Sequence, residues 1–219
     1  MRMIQQMISW LPQLLNGAKI TILLTLCAVS MGLLLSIFLA LGKMSKNKIL
    51  SGICSVYIFF FRGTPLLMQL YFIYFGLPQI NMALTINSRF FAAFLAFSLN
   101  SAAYCSEFIR AAIQSIDRGQ FEASKALGLS KAQTMQLVIF PQSIRRLVPS
   151  VANEFIMVLK DASLVSIIAL ADLTKVTRAI SSSTGTAMVY IPAMIIYLVM
   201  TAFFEFIFRR METNFSRYE

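Results

Sequence analysis

From residue 20 to residue 42 the chain carries no charged side chain; ITILLTLCAVSMGLLLSIFLALG is broken in polarity only by the small hydroxyls of Thr21, Thr25, Ser30 and Ser36. About 20 such residues in a helix cross the hydrocarbon core of a bilayer. Inside that core water is absent, so the backbone must satisfy its own hydrogen bonds and only helices or closed barrels can span it. A continuous apolar run of this length therefore specifies an all-α integral membrane protein. Four further apolar segments follow, and together they predict five transmembrane helices at about 17–42, 49–75, 90–116, 148–171 and 187–208. The hydrophobic share of 58%, against 13% charged residues, excludes a soluble domain of ordinary composition. No internal repeat or long linker divides the chain, which reads as a single transmembrane domain over residues 1–219.

Ahead of the first span, Ile4, Met7, Ile8, Leu11, Leu14 and Leu15 recur at helical spacing among Gln5, Gln6 and Gln13, the pattern of an interfacial helix. The basic leader and compact apolar core of a cleaved signal are missing, so the first span is expected to be retained. Orientation follows from the basic residues between spans. Lys43, Lys46, Lys48, Arg110, Arg118, Lys125, Lys131, Arg145, Arg146, Arg209, Arg210 and Arg217, twelve of the nineteen, fall on one side. Arg2, Lys19, Arg89, Lys175 and Arg178 fall on the other, with Arg62 and Lys160 inside spans. The N-terminus is then outside and the C-terminus in the cytoplasm. The net charge of +10 is accounted for by loops beside anionic membrane lipid rather than by nucleic acid. There is no histidine, and Cys27, Cys54 and Cys105 lie in apolar runs without ligand spacing, so neither a metal site nor a disulfide framework is expected.

Between the third and fourth spans lies DRGQFEASKALGLSKAQTMQLVIFP, residues 117–141. Asp117 with Gln120, and Ser130 with Gln133, have capping-box spacing, and Gly128 stands where a left-handed helix stop belongs. Two short cytoplasmic helices are predicted, the first over about 118–127 with small residues that another protein's cleft could grip.

Ionisable residues within spans cost about 3 kcal/mol each at a helix centre and need partners or a function. Asn100, Tyr104 and Glu107 share a face of the third span. Glu107 is expected to pair with Arg110 one turn on, whereas Asn100 could bond a neighbouring helix or face a pathway. In the second span Arg62-Gly63-Thr64-Pro65 predicts a kink, because Pro65 leaves the Phe61 carbonyl without its helical donor; such breaks are tolerated where backbone is buried in protein or lines a cavity, so Thr64 and Gln69 are candidates to face a pathway. In the fourth span Glu154 and Asp161, seven residues apart, project from nearly one face. After Asp161, Ala162-Ser163-Leu164 is expected to open a new half-helix with free N–H groups for a carboxylate. Asp161 would cap that half-helix, hold an amino group, or both, and Glu154 would pair with Lys160, with an arginine from another helix, or with a cationic solute.

Glu122-Ala123-Ser124, then Gly128, Val138 and Phe140-Pro141, resembles in spacing the EAA loop of ATP-binding cassette (ABC) importer permeases, with Ser124, Val138 and Phe140 as mild departures. FFRGTPLLMQL (60–70), NSAAYCSEFIR (100–110) and NEFIMVLKDASL (153–164) are similar to the polar amino acid branch of those permeases. The resemblance implies a transmembrane permease subunit in a bacterial inner membrane, with residues 117–141 forming a cytoplasmic coupling helix. It implies as partners two ATPase subunits that bind ATP and Mg, a second permease chain, identical or related, and an extracytoplasmic binding protein that delivers an amino acid. This chain itself would hold no cofactor, having no G-x-x-x-x-G-K-[ST] motif. Carried over as substrate contacts are Asn100, Glu154, Asp161 and Ser163 with the backbone of Ala162 and Leu164; carried over as ATPase contacts are Glu122, Ala123 and Gly128. The placing of Glu154 favours arginine, lysine or a related basic amino acid, with glutamine close behind. Taken without the resemblance, the residues also admit a stand-alone channel or ion-coupled transporter relaying ions through Glu107, Glu154, Lys160 and Asp161. Another small solute for the same ABC role is a further alternative. A membrane enzyme lacks a nucleophile–base pair.

Overall fold

In the computed structural model residues 2–216 are described, with side chains described for 5–213; Arg217 and the side chains of Arg2 and Ile4 lie outside the described residues. Every regular element among them is helical. Helix α1 (Arg2–Lys43) runs 42 residues, about 63 Å at 1.5 Å per residue. The expected interfacial helix is therefore not a separate element but the first turns of the spanning one. Nothing in the sequence between Leu15 and Lys19 stops a helix, and Pro12 is accommodated within it.

Helix α2 (Lys48–Gly63) starts where the Asn47 side chain accepts the N–H groups of Ile49 and Leu50. It ends at Thr64, whose backbone is extended at φ −116° and ψ 145°, the conformation that a following proline imposes. Helix α3 (Leu66–Ile80) leaves at 103° to α2. The segment expected as one kinked span over 49–75 is thus a sharply bent pair. Within α3 the ladder widens to a π turn over Phe72–Gly76, ahead of Pro78. A second π turn, Met135–Ile139, stands ahead of Pro141. A proline ring collides with the carbonyl four residues back; that carbonyl belongs to Tyr74 in one case and Leu137 in the other, each at the centre of its π turn, where the wider ring moves it aside.

Helix α4 (Arg89–Gln114) precedes the short α5 (Arg118–Ala126), and a turn at Lys131–Thr134 leads through the second π turn into α6 (Phe140–Asp161). After α6 come a 3-10 segment, Ala162–Ile168, then α7 (Leu173–Thr184) and α8 (Tyr190–Ser216). By length and apolarity alone, Gln5–Lys43 and Ala187–Thr213 qualify as membrane spans, and the bent α2–α3 pair as a third. Helices α4 and α6 are of spanning length, at 26 and 22 residues, but carry the polar groups described below.

The core forms around α1 and α4, which pack together more extensively than any other pair. Close approach is possible because the buried face of α4 is built from small residues, among them Ala92, Ala93, Ala96, Ser101, Ala102 and Ala103, as lipid-embedded helices require when dispersion contacts are the main attraction. Helix α7, not expected from the sequence, is tied back onto α1: the Thr21 hydroxyl accepts the Leu173 N–H at 3.2 Å. Buried Asp172 caps it by accepting the N–H groups of Thr174 and Lys175, both at 2.9 Å.

A methyl group on Gly32 would sit 2.9 Å from Ser101 Cβ and 3.1 Å from the Ala102 backbone nitrogen. Gly32→Val is expected to separate α1 from α4 at a cost of about 1–3 kcal/mol, read as a lower melting temperature in detergent. Gly52→Ala, where an added Cβ meets nothing within 4 Å, is expected to leave that temperature unchanged; equal effects would mean that α1–α4 contact does not limit stability.

Candidate functional site

The break between α2 and α3 leaves the Phe61 carbonyl without a helical donor, and two side chains supply it. Asn100 Nδ2 on α4 donates at 3.0 Å and Gln69 Nε2 on α3 at 3.0 Å. Asn100 Nδ2 also donates to Gln69 Oε1 at 3.0 Å, and Gln69 Nε2 reaches Thr64 O and Oγ1 at 3.0 and 2.8 Å. One turn earlier the Tyr57 hydroxyl donates to the Leu99 carbonyl at 2.8 Å. Of the two roles open to Asn100, bonding a neighbouring helix is realised; its side chain also borders a cavity.

Glu107 pairs with Arg110 as its spacing predicts, at 2.7 Å from Nη2 and 3.2 Å from Nε. Two partners were not legible in the sequence: Lys43 Nζ, from the end of α1, at 2.7 Å, and Arg62 Nη1, from α2, at 3.9 Å. Arg62 also stacks its guanidinium over the Tyr104 ring, 5.3 Å from the centroid. Three cations from three helices thus converge on one carboxylate.

Beside this cluster a cavity of about 340 Å³ opens among α2, the break, α4 and α6. Its polar lining consists of Arg62, Thr64, Asn100, Tyr104, Glu154 and Asp161. Glu154 is only 5% exposed, with the Ser101 side chain beside it. No lysine or arginine among the described residues lies within ion-pair distance of it, so neither Lys160 nor an arginine of another helix neutralises it within the chain. Asp161 is exposed to the same cavity, and Lys160 is exposed beside it.

At Asp161 the structure departs from expectation. The residue is helical, at φ −66° and ψ −21°, and its side chain caps nothing. Helix α6 does not stop there but tightens into the 3-10 segment. The Ala162 N–H is bonded to the carbonyls of Val158 and Lys160, while Ser163 and Leu164 lie within the 3-10 segment. The half-helix thus follows α6 as a change of pitch rather than across a gap, and of its first N–H groups that of Ala162 is taken up within the chain. Ala162 is fully buried, and Ser163 and Leu164 are half-buried.

The second region of interest hangs below the bundle. Helix α5 begins at Asp117, whose Oδ1 accepts the Gly119 N–H at 2.6 Å. The expected reciprocal bond from Gln120 is missing; its Oε1 instead accepts from Gln142 Nε2 at 3.2 Å. Helix α5 ends at Gly128, which has φ +77°. The N–H groups of Gly128 and Leu129 return to the carbonyls of Lys125 and Ser124, at 3.0 and 3.1 Å, a complete Schellman stop. Two residues on, Ser130 and Gln133 form the predicted capping box in full. Glu122 and Ala123 are exposed, as are Phe121 and Leu127, the latter at 80%. A small apolar cluster of Ile113 and Ile116 at the end of α4 and Ile139 before α6, joined by Met135 and Val138, fixes this region to the bundle. Arg146 of α6 adds a hydrogen bond to the Ser115 carbonyl. Among the described residues no group of histidine, cysteine and carboxylate side chains could hold a metal, and the cysteines are unpaired.

Over residues 32–217 the chain matches the family described as binding-protein-dependent transport system inner membrane component. It is 38% identical over 205 residues to the arginine transport system permease protein ArtQ of Bacillus subtilis (strain 168), covering 92% of each chain. It is also 38% identical over 218 residues to the putative glutamine transport system permease protein GlnP of Rickettsia bellii (strain RML369-C), covering 96% of this chain and 97% of that one. A crystal structure of an amino acid ABC transporter with histidines superposes with a TM-score of 0.90 at 42% identity, covering 96% of this chain and 97% of the other.

Left-handed backbone costs a residue with a side chain about 1–2 kcal/mol, and more for a β-branched one. Gly128→Val is expected to loosen residues 118–134 while leaving the bundle folded: faster amide hydrogen exchange and proteolysis there, with an unchanged melting temperature. Unaltered exchange across α5 would mean that the Gly128 stop does not hold this helix.

Proposed function

Because the chain belongs to the family of binding-protein-dependent transport system inner membrane components, we propose that its cavity passes polar, preferably basic, amino acids and that α5 docks the ATPase driving them. The protein is a multi-pass inner-membrane permease of an ABC import system for polar or basic amino acids; ATP is hydrolysed by a separate subunit. Family membership removes the stand-alone channel, secondary transporter and membrane enzyme.

Within that role, we assign five spans: α1, the bent α2–α3 pair, α4, α6 and α8, with the N-terminus outside. The polarity that keeps α4 and α6 from qualifying on apolarity alone is the polarity expected of helices lining a solute path. Two ATPase subunits, a second permease chain and an extracytoplasmic binding protein complete the assembly, and the solute path runs along the cavity lined by Asn100, Glu154 and Asp161, with Ser163 two residues beyond its wall. Helix α5 presents Glu122 and Ala123 to the ATPase, with Gly128 setting the angle of the chain beyond. Two exposed apolar side chains, Phe121 and Leu127, support a protein partner for this surface.

The observation that carries the substrate assignment is Glu154, a buried carboxylate with a hydroxyl for partner and no cation of its own. An unpaired buried carboxylate is costly, and a guanidinium or ammonium at the tip of a solute side chain relieves that cost. Asp161, about 10 Å away along α6 at 1.5 Å per residue, stands at the right separation to hold the α-amino group of the same molecule. With the Ala162 N–H already bonded within the chain, Ser163 and the backbone of Leu164 remain as the groups of this segment that meet the α-carboxylate.

Competition for uptake is expected to favour basic over neutral amino acids in the wild type, and Glu154→Gln is expected to lose about tenfold or more of that preference while keeping glutamine uptake. An identical competition profile in the two proteins would remove Glu154 from selectivity. Glu122→Ala is expected to leave insertion intact but to abolish stimulation of ATP hydrolysis by loaded binding protein in proteoliposomes; full stimulation would remove Glu122 from the ATPase contact.

A further inference from the structure

We propose that a second, apolar cavity, walled by α1, α6 and α8, binds an acyl chain of an anionic membrane phospholipid at the end of the bundle from which α5 hangs. This cavity has a volume of about 440 Å³. Leu33 and Ile37 of α1, Val151 of α6 and Phe208 of α8 form its walls, and Ala112 and Ile113 of α4 its floor. Ser143 is the one polar side chain among the described residues lining it, and its hydroxyl donates to the Ile139 carbonyl at 2.8 Å. A cavity lined in this way stays dry and takes an apolar guest. Ile109, also on the lining, follows Asn100 by about two and a half turns of α4, so this cavity and the one holding Asn100 lie on opposite faces of that helix.

Surroundings, size and charge identify the guest. The α1 wall belongs to the uncharged run of residues 20–42, on which Leu34, Ile37, Phe38 and Leu41 are exposed; in a multi-pass membrane protein such a surface meets hydrocarbon. An α-helix with its side chains is about 10 Å across, so this volume would seat about one turn of it, whereas a flexible chain enters end-on. Cations cluster at the same level: Lys43 follows Leu41, Arg110 follows Ile109, Arg145 and Arg146 stand between Ile144 and Leu147, and Arg209 and Arg210 between Phe208 and Met211. Lys43 and Arg110 serve Glu107, and Arg146 the Ser115 carbonyl. Arg210 is exposed, stacked over the Phe206 ring at 5.7 Å, with no carboxylate of the described residues at ion-pair distance. Basic residues at a membrane surface attract anionic headgroups. Occupancy would have a mechanical consequence, because Ile113 and Met135 on the lining also belong to the cluster that joins the end of α4 to the entry of α6. A bound chain braces that joint, next to α5.

The test uses the permease assembled with its ATPase in nanodiscs containing phosphatidylglycerol with a diazirine near the end of one acyl chain; after irradiation the label is located by peptide mass spectrometry. Ala112 and Ile113, at 5% and 8% exposure, are reached by lipid only through the cavity, whereas Leu34 and Phe38 on the outside of α1 report bulk lipid. Wild type is expected to carry label at both pairs. Val151→Phe, which fills the cavity, is expected to lose about tenfold or more of the label at Ala112 and Ile113 while keeping that at Leu34 and Phe38. Ile37→Phe, at the exposed rim, serves if Val151→Phe fails to assemble. Unlabelled phosphatidylglycerol is expected to displace the probe from Ala112 and Ile113 about fivefold better than phosphatidylcholine. A wild type unlabelled at these two residues overturns the proposal and would mean that a partner chain covers the cavity. A filled variant that keeps their label also overturns it, and equal displacement by the two lipids overturns the anionic headgroup.

Discussion

The Phe61 carbonyl is the group around which the middle of this bundle is arranged. In an apolar medium an unsatisfied backbone carbonyl costs several kcal/mol, and Pro65 guarantees that no helical donor can reach this one. Asn100 and Gln69 meet the need from α4 and α3, and in doing so they join three helices at one point. The break could not otherwise persist at 103°. Because it persists, a cavity remains between the end of α2 and α6. The polar network is therefore the condition for having a cavity at all.

A half-buried and a buried carboxylate border this region and are treated in opposite ways. Glu107 is oversupplied with cations, and Glu154 has a serine hydroxyl alone. If burial of charge were only a matter of stability, the two would be expected to share partners, since a lone buried carboxylate is costly. Instead the positive charge is held on the α2 side and the negative charge on α6, with empty space between them. An interior polarised in this way stabilises no fold by itself, but it is complementary to a molecule carrying both charges.

What could be read from the sequence depended on how far apart the cooperating residues lie along the chain. The Gly128 stop, the Ser130–Gln133 box, the Glu107–Arg110 pair and the fault at Pro65 each involve residues within a few positions of one another, and local geometry decides them. The Lys43–Glu107 pair spans 64 residues, the Asn100–Phe61 bond 39 and the Leu173–Thr21 bond 152; no local pattern carries such contacts. Asp161 failed for a subtler reason. Asp-Ala-Ser has the composition of a helix start, but a cap requires the preceding helix to end, and the switch from α to 3-10 pitch lets it continue. Helix α7 had a legible signal in Asp172 followed by Leu173, Val176 and Ile180 at helical spacing. The unbroken α1, by contrast, depended on the absence of a stop signal.

The two regions of interest are joined by the helices that carry them. Helix α4 holds Asn100 near its middle and Ile113 toward its C-terminal end; α6 holds Glu154 and Asp161 and is entered through Ile139. Ile113, Ile116 and Ile139 join the end of α4 to the entry of α6, and α5 is inserted in the chain between them, so a displacement of α5 reaches both cavity-lining helices through that cluster. Packed cores resist continuous deformation and move as units. A push on α5 is therefore more easily absorbed by rigid displacement of α4 and α6 relative to α2 than by local yielding. The joints most able to give are the loose Arg62–Glu107 contact at 3.9 Å and the hydrogen-bonded break at Phe61, where a few directed bonds, not interlocked side chains, span the gap. Both stand at the wall of the cavity. Mechanical work delivered at α5 would thus be felt first where the solute is proposed to sit.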